Sequence, residues 1–416
     1  MNKPKGTYDV FGQYGKKLTH VNNIYQELME NYNYEFIRTP VFESSELFHR
    51  GMGESTDVVT KETYDFKDRG GRNITLKPEG TAGVVRSLIE NKLYVDEFKK
   101  FFYFTPCFRY ERPGSGRFRE FYQFGCEVFG SKNPLVDAEV ILIAYNFLSL
   151  IGINNYIVKI NSLGTNEERK KYKEALIKYL NPHIDTLCDD CKDRINQNPL
   201  RILDCKIDDK KEVIKNAPNI LEFLGKESLE HFNEVKSYLD LYEVNYEIDF
   251  TLVRGLDYYS HTIFEIVCLD ESLGGASTLV GGGRYDSLVE TLGGPSTPAC
   301  GFGIGSERLL SLVDLDEELN GIDAYVVPVN KEDEEYALSI IEELRLTRFK
   351  IDLDYMNRSF KSKLKQADKL NSKFIIIVGE EERKNFKVKI KDTLLKEETT
   401  IEVASLLEYL SERSII

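Results

Sequence analysis

The 416-residue sequence predicts an α+β domain built on an antiparallel sheet, interrupted by a helical insertion and followed by a smaller α/β domain. Three observations lead there. Two aromatic-rich, strand-like runs, 101–111 and 120–130, flank a turn rich in Pro and Gly. Glycine-bearing strand patterns return over 247–310, after a polar, helix-like stretch. Beyond 323, strands and helices alternate, the pattern of a largely parallel α/β unit. The length itself calls for two or three domains.

In chain order, residues 16–31 place Leu18, Val21, Ile24, Tyr25 and Leu28 at helical spacing. The stretch from about 166 to 245 is rich in Lys, Asp, Glu and Asn and reads as an insertion in a domain spanning 1–322. Residues 314–323 are acidic and polar, as a linker would be. The last domain, 323–416, reads as strand Ala324–Val329, helix Glu332–Leu346, strand Lys350–Tyr355, helix Ser359–Leu370 and strand Phe374–Val378. Residues 358–391 hold eleven Lys/Arg and four Asp/Glu, a local net of +7 in a chain whose formal net charge is -14. The overall charge argues against a general nucleic-acid coat, whereas the local patch suits a nucleic-acid contact.

Hydrophobic content of 41% and charged content of 30% are those of a globular protein, and no run approaches the ~18 apolar residues of a membrane span. The start, Met1 to Gly6, has no apolar signal core, and seven scattered cysteines suit a reduced compartment, so a cytoplasmic location is expected. No Gly-x4-Gly-Lys-Ser/Thr loop occurs.

The segment Arg112-Pro-Gly-Ser-Gly-Arg117-Phe-Arg119 is a turn loaded with positive charge between two strands. On the second strand, Gln123, Gly125 and Glu127 share one face, with Phe121 and Phe129 beside them. A carboxylate among apolar neighbours is costly unless paired, and Gly125 leaves room for a small molecule between the two polar groups. Arg109 on the partner strand would supply a cation. The same spacing also fits a hairpin whose polar face is merely solvated. Farther on, Arg254-Gly255 precedes Tyr258-Tyr259, and Gly281-Gly-Gly-Arg-Tyr-Asp286 suggests close approach of backbone to a ligand, or else a flexible hairpin end. In 300–310, CGFGIGSERLL, glycines lead into a helix with Arg308 one turn in, placed to meet a phosphate; a dinucleotide fingerprint is incomplete there.

These segments resemble one family. FRYERPGSGRFREFYQFGCEVFG resembles motif 2 of class II aminoacyl-tRNA synthetases in its histidyl form, GFGIGSERLL resembles motif 3, and IRTPVFESSELF with Pro40 resembles motif 1, the dimer element. LVRGLDYYSHTIFE and GGGRYD resemble two signatures of the histidine enzymes, LKPEGTAGVVR (76–86) their amino-acid loop, and KGTYDV their N-terminus. The likeness spans essentially the whole chain. Departures are Phe11-Gly12 in place of Leu-Pro, Ser306 in place of an apolar residue, and the absence of a glycine in 382–392.

The resemblance implies a class II synthetase fold with a C-terminal anticodon-binding domain. It implies ATP with Mg²⁺, L-histidine and tRNA(His) as partners, a histidyl-adenylate intermediate, a homodimer and an acceptor-clamping insertion. By the same resemblance Arg109 binds the α-phosphate with Arg254 opposite, and these two are the catalytic residues. Arg117 and Arg308 hold the β/γ end, and Glu111 lies near the adenine. Glu79, Thr81 and Gln123 receive the α-amino group, with Gly80 in the same histidine-binding loop, while Glu127 and Tyr259, with Tyr258 beside them, grip the imidazole.

Two rival readings remain on this basis. A non-catalytic relative, the synthetase-like regulatory subunit of ATP phosphoribosyltransferase, would lack residues like 324–416 and Arg254; a class II enzyme for proline, threonine or glycine would lack RGLDYY and Glu127. Cys188-Asp-Asp-Cys191 with Cys205 offers three thiols, one ligand short of a structural zinc site unless His183 joins. Helix-packing or exposed thiols are the favoured account, and no metal is assigned there. His261 is read as structural.

Overall fold

The computed structural model describes residues 1–53, 56, 58–114, 116–270, 278–314, 321–347 and 349–413. The chain forms two compact units, Met1–Val313 and Asp314–Ile416. Most of the acidic 314–323 stretch lies outside the described residues.

The strands of the first unit are β1 (Glu35–Phe36), β2 (Phe42–Ser44), β3 (Tyr64–Lys67), β4 (Asn73–Leu76), β5 (Lys99–Phe108), β6 (Glu120–Phe129), β7 (Tyr156–Ser162), β8 (Tyr246–Ile248), β9 (Ser260–Cys268), β10 (Thr278–Arg284) and β11 (Ala299–Gly305). Eight of them form one sheet in the order β1-β5-β6-β11-β10-β9-β7-β8. Its interior pairs are antiparallel, and only the edge pairs β1/β5 and β7/β8 are parallel. Strands β2, β4 and β3 make a small separate sheet.

Alternation along the strands sorts the two faces. Phe102, Phe124, Cys126, Val128, Phe264, Ile266, Phe302 and Ile304 point to one side, where helices Gly12–Asn31, Pro134–Leu150 and Lys226–Leu241 cover them. Of the stripe its spacing predicts, the first of these helices buries Val21, Tyr25 and Leu28 and partly buries Leu18 and Ile24, with Met29 buried beside them. Phe101, Tyr103, Phe129 and Ile263 point to the other side, against helix Thr81–Glu90 and the segment that follows β7.

That segment is helical, as expected, but it divides. Asn166–Leu180, opened by a Thr165/Glu168 capping box, and Asp189–Gln197 pack on the second face with their own core of Tyr172, Leu176, Leu180, Cys191 and Ile195. Helix Lys226–Leu241 instead belongs to the layer over the first face, through Phe232, Val235 and Leu239. Arg284, which follows the triple glycine, is scaffold: it is 1% exposed and pairs with the buried Asp137 carboxylate (Nε–Oδ1 3.1 Å), tying β10 to helix Pro134–Leu150. Removing one member of such a pair costs about 3–5 kcal/mol, because the other is left buried and unpaired.

The second unit contains β12 (Ala324–Pro328), β13 (Ile351–Leu353), β14 (Phe374–Val378), β15 (Lys387–Asp392) and β16 (Glu398–Glu402), in the order β13-β12-β14-β15-β16. The first three are parallel and joined by helices Glu334–Arg345 and Phe360–Lys369; β15 and β16 run antiparallel. The sequence reading did not anticipate these last two strands. Lys387-Val-Lys-Ile-Lys-Asp392 alternates buried Val388 and Ile390 with lysines, so its charge masks a half-buried strand. Phe386 enters it at φ 53, a left-handed position where a glycine would be unstrained.

Candidate functional site

The register of three strands builds the site. Phe101, Tyr103 and Thr105 on β5 stand opposite Glu127, Gly125 and Gln123 on β6. On the other side of β6, Gly301, Gly303 and Gly305 of β11 stand opposite the same three residues. One face therefore carries a ladder of polar and aromatic groups beside a floor of glycines. Gly281 of β10 extends that floor, paired with Gly303.

An open cleft of about 750 Å³ lies over it, lined by Arg109, Glu111, Arg117, Gln123, Arg254 and Arg308 together with Phe121, Gly281, Gly303 and Glu307. Arg109 donates from Nε to the Pro78 carbonyl (2.9 Å) and lies over the Phe121 ring. Glu111 sits 3.9 Å from Arg109 and 3.8 Å from Arg117, so it engages both only loosely. Arg117 belongs to the 109–119 loop, where Gly114 and Arg117 exchange backbone hydrogen bonds and Gly116 turns the chain at φ +64. Arg308 donates to the Thr278 carbonyl (2.8 Å); burial first, then the Arg117 charge, pulls its pKa down. Arg254 pairs with Glu265 and fills the space over Gly281, where a Cβ would lie 1.9 Å from its Nη2. Burial alone would lower the Arg254 pKa, but Glu265 holds it above the ordinary value. Four cations from three separate stretches of sequence thus converge on one cavity, an arrangement that favours a polyanion.

The carboxylates lie deeper. Glu127 is 1% exposed and accepts hydrogen bonds from the Thr81 hydroxyl (2.8 Å), the Tyr103 hydroxyl (2.9 Å) and the Tyr285 hydroxyl. Desolvation pushes its pKa up to about 8 against the lowering effect of these donors. Glu79 accepts the backbone N–H groups of Thr81 and Ala82 (2.7 Å each), at the start of helix Thr81–Glu90, and burial raises its pKa as well. Gln123 accepts the Gly80 N–H (3.1 Å) and so ties the amino-acid loop to the hairpin. Tyr258 packs on Tyr259 (4.7 Å between rings) and edge-on to Tyr285, while Tyr259 lies 5.7 Å from the Arg254 guanidinium.

Of the candidate residues named from the sequence, Arg109, Glu111, Arg117, Gln123, Arg254 and Arg308 line the cleft, whereas Glu79, Gly80, Thr81, Glu127, Tyr258 and Tyr259 lie outside its lining and meet it through the Gly80–Gln123 hydrogen bond. Two further details differ from the sequence reading. The space over Gly125 is not open: the Tyr103 ring fills it, and a Cβ on Gly125 would lie 2.4 Å from that ring. Gly80 is needed for the same reason, since its Cβ would also meet Tyr103 at 2.4 Å. The open floor lies instead over Gly305, where a Cβ would meet nothing within 4 Å; a Cβ on Gly303 would lie 3.1 Å from the Gln123 side chain. Of the triple glycine, Gly281 accommodates Arg254, while Gly282 and Gly283 meet neighbouring strands, with a bulge after Gly283. His261 sits at φ 46 with its ring beside His231 (5.6 Å), away from the cleft lining.

Sequence reasoning passed over Tyr103, Tyr285, Glu265 and Glu307. Tyr285 lies inside a quoted motif, and Tyr103 would have followed from pairing the two strands residue by residue. Glu307 accepts the Tyr122 N–H (2.8 Å) and the Tyr8 hydroxyl, which gives the N-terminal segment its anchor.

Comparison with known proteins identifies the family. Residues 6–309 match the histidyl-tRNA synthetase family and residues 323–413 the anticodon binding domain family. A histidine--tRNA ligase of Bacillus subtilis is 47% identical over 409 residues, covering 97% of this chain and 96% of the relative. That of Staphylococcus haemolyticus is 45% identical over 419 residues, covering 99% of each. The crystal structure of apo S. aureus histidyl-tRNA synthetase superposes with a TM-score of 0.80 at 40% identity, over 99% of each chain. A Bacillus halodurans structure described as an ATP phosphoribosyltransferase regulatory subunit/histidyl-tRNA synthetase shares the fold at 21% identity (TM-score 0.66). With both domains matched and near-full-length relatives this similar, the chain belongs to the histidyl-tRNA synthetase family.

Proposed function

We propose that the protein ligates L-histidine to tRNA(His) in two steps, through a histidyl-adenylate formed in the cleft from histidine and ATP. The convergence of Arg109, Arg117, Arg254 and Arg308 beside a buried glutamate carries this reading. A histidine carboxylate is ionised at pH 7, so its attack on the α-phosphorus needs no general base. One carboxylate oxygen bonds to phosphorus, the bond to the β-phosphate bridging oxygen breaks, and pyrophosphate leaves with the electron pair. Arg109 and Arg254 neutralise the developing charge at the α-phosphate, and Arg117 and Arg308 hold the β/γ end; positioning and charge supply the catalysis. Glu111 lies at the adenine side of the same cleft.

Mg²⁺ is expected to arrive with ATP. The loosely paired Glu111 fits it, since Mg²⁺ is commonly held by one or two carboxylates plus substrate phosphates and there shields phosphate charge. The imidazole end lies toward Glu127, whose carboxylate accepts a ring N–H, with Tyr258 and Tyr259 alongside. Glu79, Thr81 and Gln123 meet the α-amino group, with Gly80 shaping their loop. A site that hydrogen-bonds the ring rejects apolar amino acids by ~10⁴ or more, because its buried polar groups would go unpaired.

In the second unit, Lys361, Lys365 and Lys369 lie at i, i+4 and i+8 on helix Phe360–Lys369, all exposed, a stripe suited to an RNA backbone. The rest of the basic patch is partly spent at home: Lys363 donates to the Pro328 carbonyl, Arg383 pairs with Asp333 and Lys389 with Glu398. A homodimer is proposed through the motif 1 region, where Phe36, Val41 and Phe42 are exposed apolar groups that a two-fold interface would cover. No helix among the described residues is long and apolar enough to cross a membrane, and a cytoplasmic location is proposed.

The test is ATP–pyrophosphate exchange without tRNA across the twenty amino acids. Exchange with histidine alone is expected; folded protein with no histidine-dependent exchange would favour the regulatory relative.

A further inference from the structure

The helical segment after β7 brings together side chains that the proposed synthetase chemistry does not use. Cys188 and Cys191 bracket the first turn of helix Asp189–Gln197, and Cys205 and Asp208 repeat the same i, i+3 spacing in the turn that follows Pro199–Ile202. The three sulfurs and one Asp208 oxygen all lie within 4.8 Å of one another. Cys188 Sγ and Cys205 Sγ are 3.7 Å apart and not bonded. In a tetrahedron with Zn–S bonds of ~2.3 Å, the edge between two sulfurs is ~3.8 Å.

Burial makes this more than proximity. Cys191 and Asp208 are fully buried and Cys205 is 5% exposed, among Leu187, Leu200, Ile202 and Leu203. A fully buried carboxylate needs a counter-charge. Asp208 Oδ2 accepts the Cys188 N–H (2.9 Å); Oδ1 lies 2.7 Å from the Lys211 ammonium without hydrogen-bond geometry. A further cation on the sulfur side would satisfy both the carboxylate and the thiolates. His183 is not the fourth ligand: it is exposed, with its ring against Tyr179.

We propose that Cys188, Cys191, Cys205 and Asp208 bind one Zn²⁺ as a structural site. Three soft thiolates select Zn²⁺ over Mg²⁺ or Ca²⁺, and four protein ligands leave no open position for chemistry. Binding displaces the thiol protons to solvent, with no change of oxidation state. The metal joins the two ends of the 188–208 segment, whose middle reaches the substrate loop: Asn198 Nδ2 donates to Asp257 Oδ1 (2.9 Å), three residues beyond Arg254.

The test is metal analysis of the full-length protein, purified without chelators or immobilised metal. One zinc per chain is expected in the native protein and in His183→Ala, and its loss in Cys191→Ser and in Asp208→Asn. Because a cysteine variant can misfold, chelator-stripped wild-type protein is also titrated with Co²⁺. The intense visible bands of a tetrahedral thiolate site are expected at one equivalent, altered in Asp208→Asn. Protein carrying no zinc and giving no tetrahedral cobalt spectrum overturns the proposal. So does zinc retained in full by both ligand variants, or iron found in its place.

Discussion

The arginine-lined cleft and the buried glutamate cluster behind it are built on opposite principles. At the Glu127 end, a single buried acceptor is surrounded by hydroxyls that already satisfy it. At the arginine end, partly exposed cations rest on backbone carbonyls or on carboxylates 3.8 to 3.9 Å away. In the proposed function the first receives a neutral ring, and the second, whose charge is only loosely paired within the protein, receives phosphates. Arg254 stands between: its guanidinium belongs to the arginine end, but it is paired with Glu265 and lies beside the Tyr259 ring.

The largest effect is therefore expected at Arg254. Arg254→Gln should lower kcat for pyrophosphate exchange by ~10³-fold or more, as loss of an arginine at a reacting phosphate does. It also strands Glu265. If the double variant with Glu265→Gln recovers stability in denaturant melts but not activity, the cation acts on substrate; recovery of both would make Arg254 a scaffold. Glu127→Gln comes next. Losing a charge-assisted bond should cost ~2–4 kcal/mol, or ~30- to 1000-fold in kcat/KM for histidine, with the KM for ATP little changed.

A smaller effect follows from the Glu127 pKa of about 8. The ring N–H needs the ionised carboxylate, and the ionised fraction grows as pH rises. The KM for histidine should fall by ~5-fold between pH 7 and pH 8, since ~10% of a group with pKa 8 is ionised at pH 7 and half at pH 8. A flat profile in wild type, or an unchanged slope in Glu127→Gln, would count against this assignment. The smallest effect lies outside the cleft. Replacing Lys361, Lys365 and Lys369 by alanine should leave pyrophosphate exchange intact and reduce the log–log salt slope of tRNA binding by ~2. An unchanged slope in filter-binding titrations would move the RNA contact elsewhere.

The same contrast explains what could be read before any coordinates. The arginine end is local: Arg109, Arg117, Arg254 and Arg308 sit in turns and helix starts whose residue types announce them. The Glu127 end depends on register. That Gln123, Gly125 and Glu127 share a face follows from period two, but what stands over Gly125 depends on the strand opposite, and Tyr103 occupies the gap. The role of Tyr285 likewise needs a bulge after Gly283 and β10 placed next to β11. Helix Gly12–Asn31 was legible because its apolar stripe is internal to it. Strand β15 was not, because lysines on the exposed side of a half-buried strand look like a solvated loop; nor was β16, whose one apolar residue, Ile401, stands among polar neighbours with none of the strand fully buried. Asp208 escaped because a carboxylate is a common surface residue; only its spacing from Cys205, repeating that of Cys188 and Cys191, sets it apart.

The division of labour between the two ends is tested most directly by calorimetric titration of histidine and of ATP, separately, into the Glu127→Gln and Arg308→Ala proteins. Glu127→Gln is predicted to lose histidine binding by ~30-fold or more while keeping ATP affinity within ~3-fold. Arg308→Ala is predicted to show the reverse. Equal losses of both ligands in either folded variant would mean that the residue holds the cleft together, and would contradict the account.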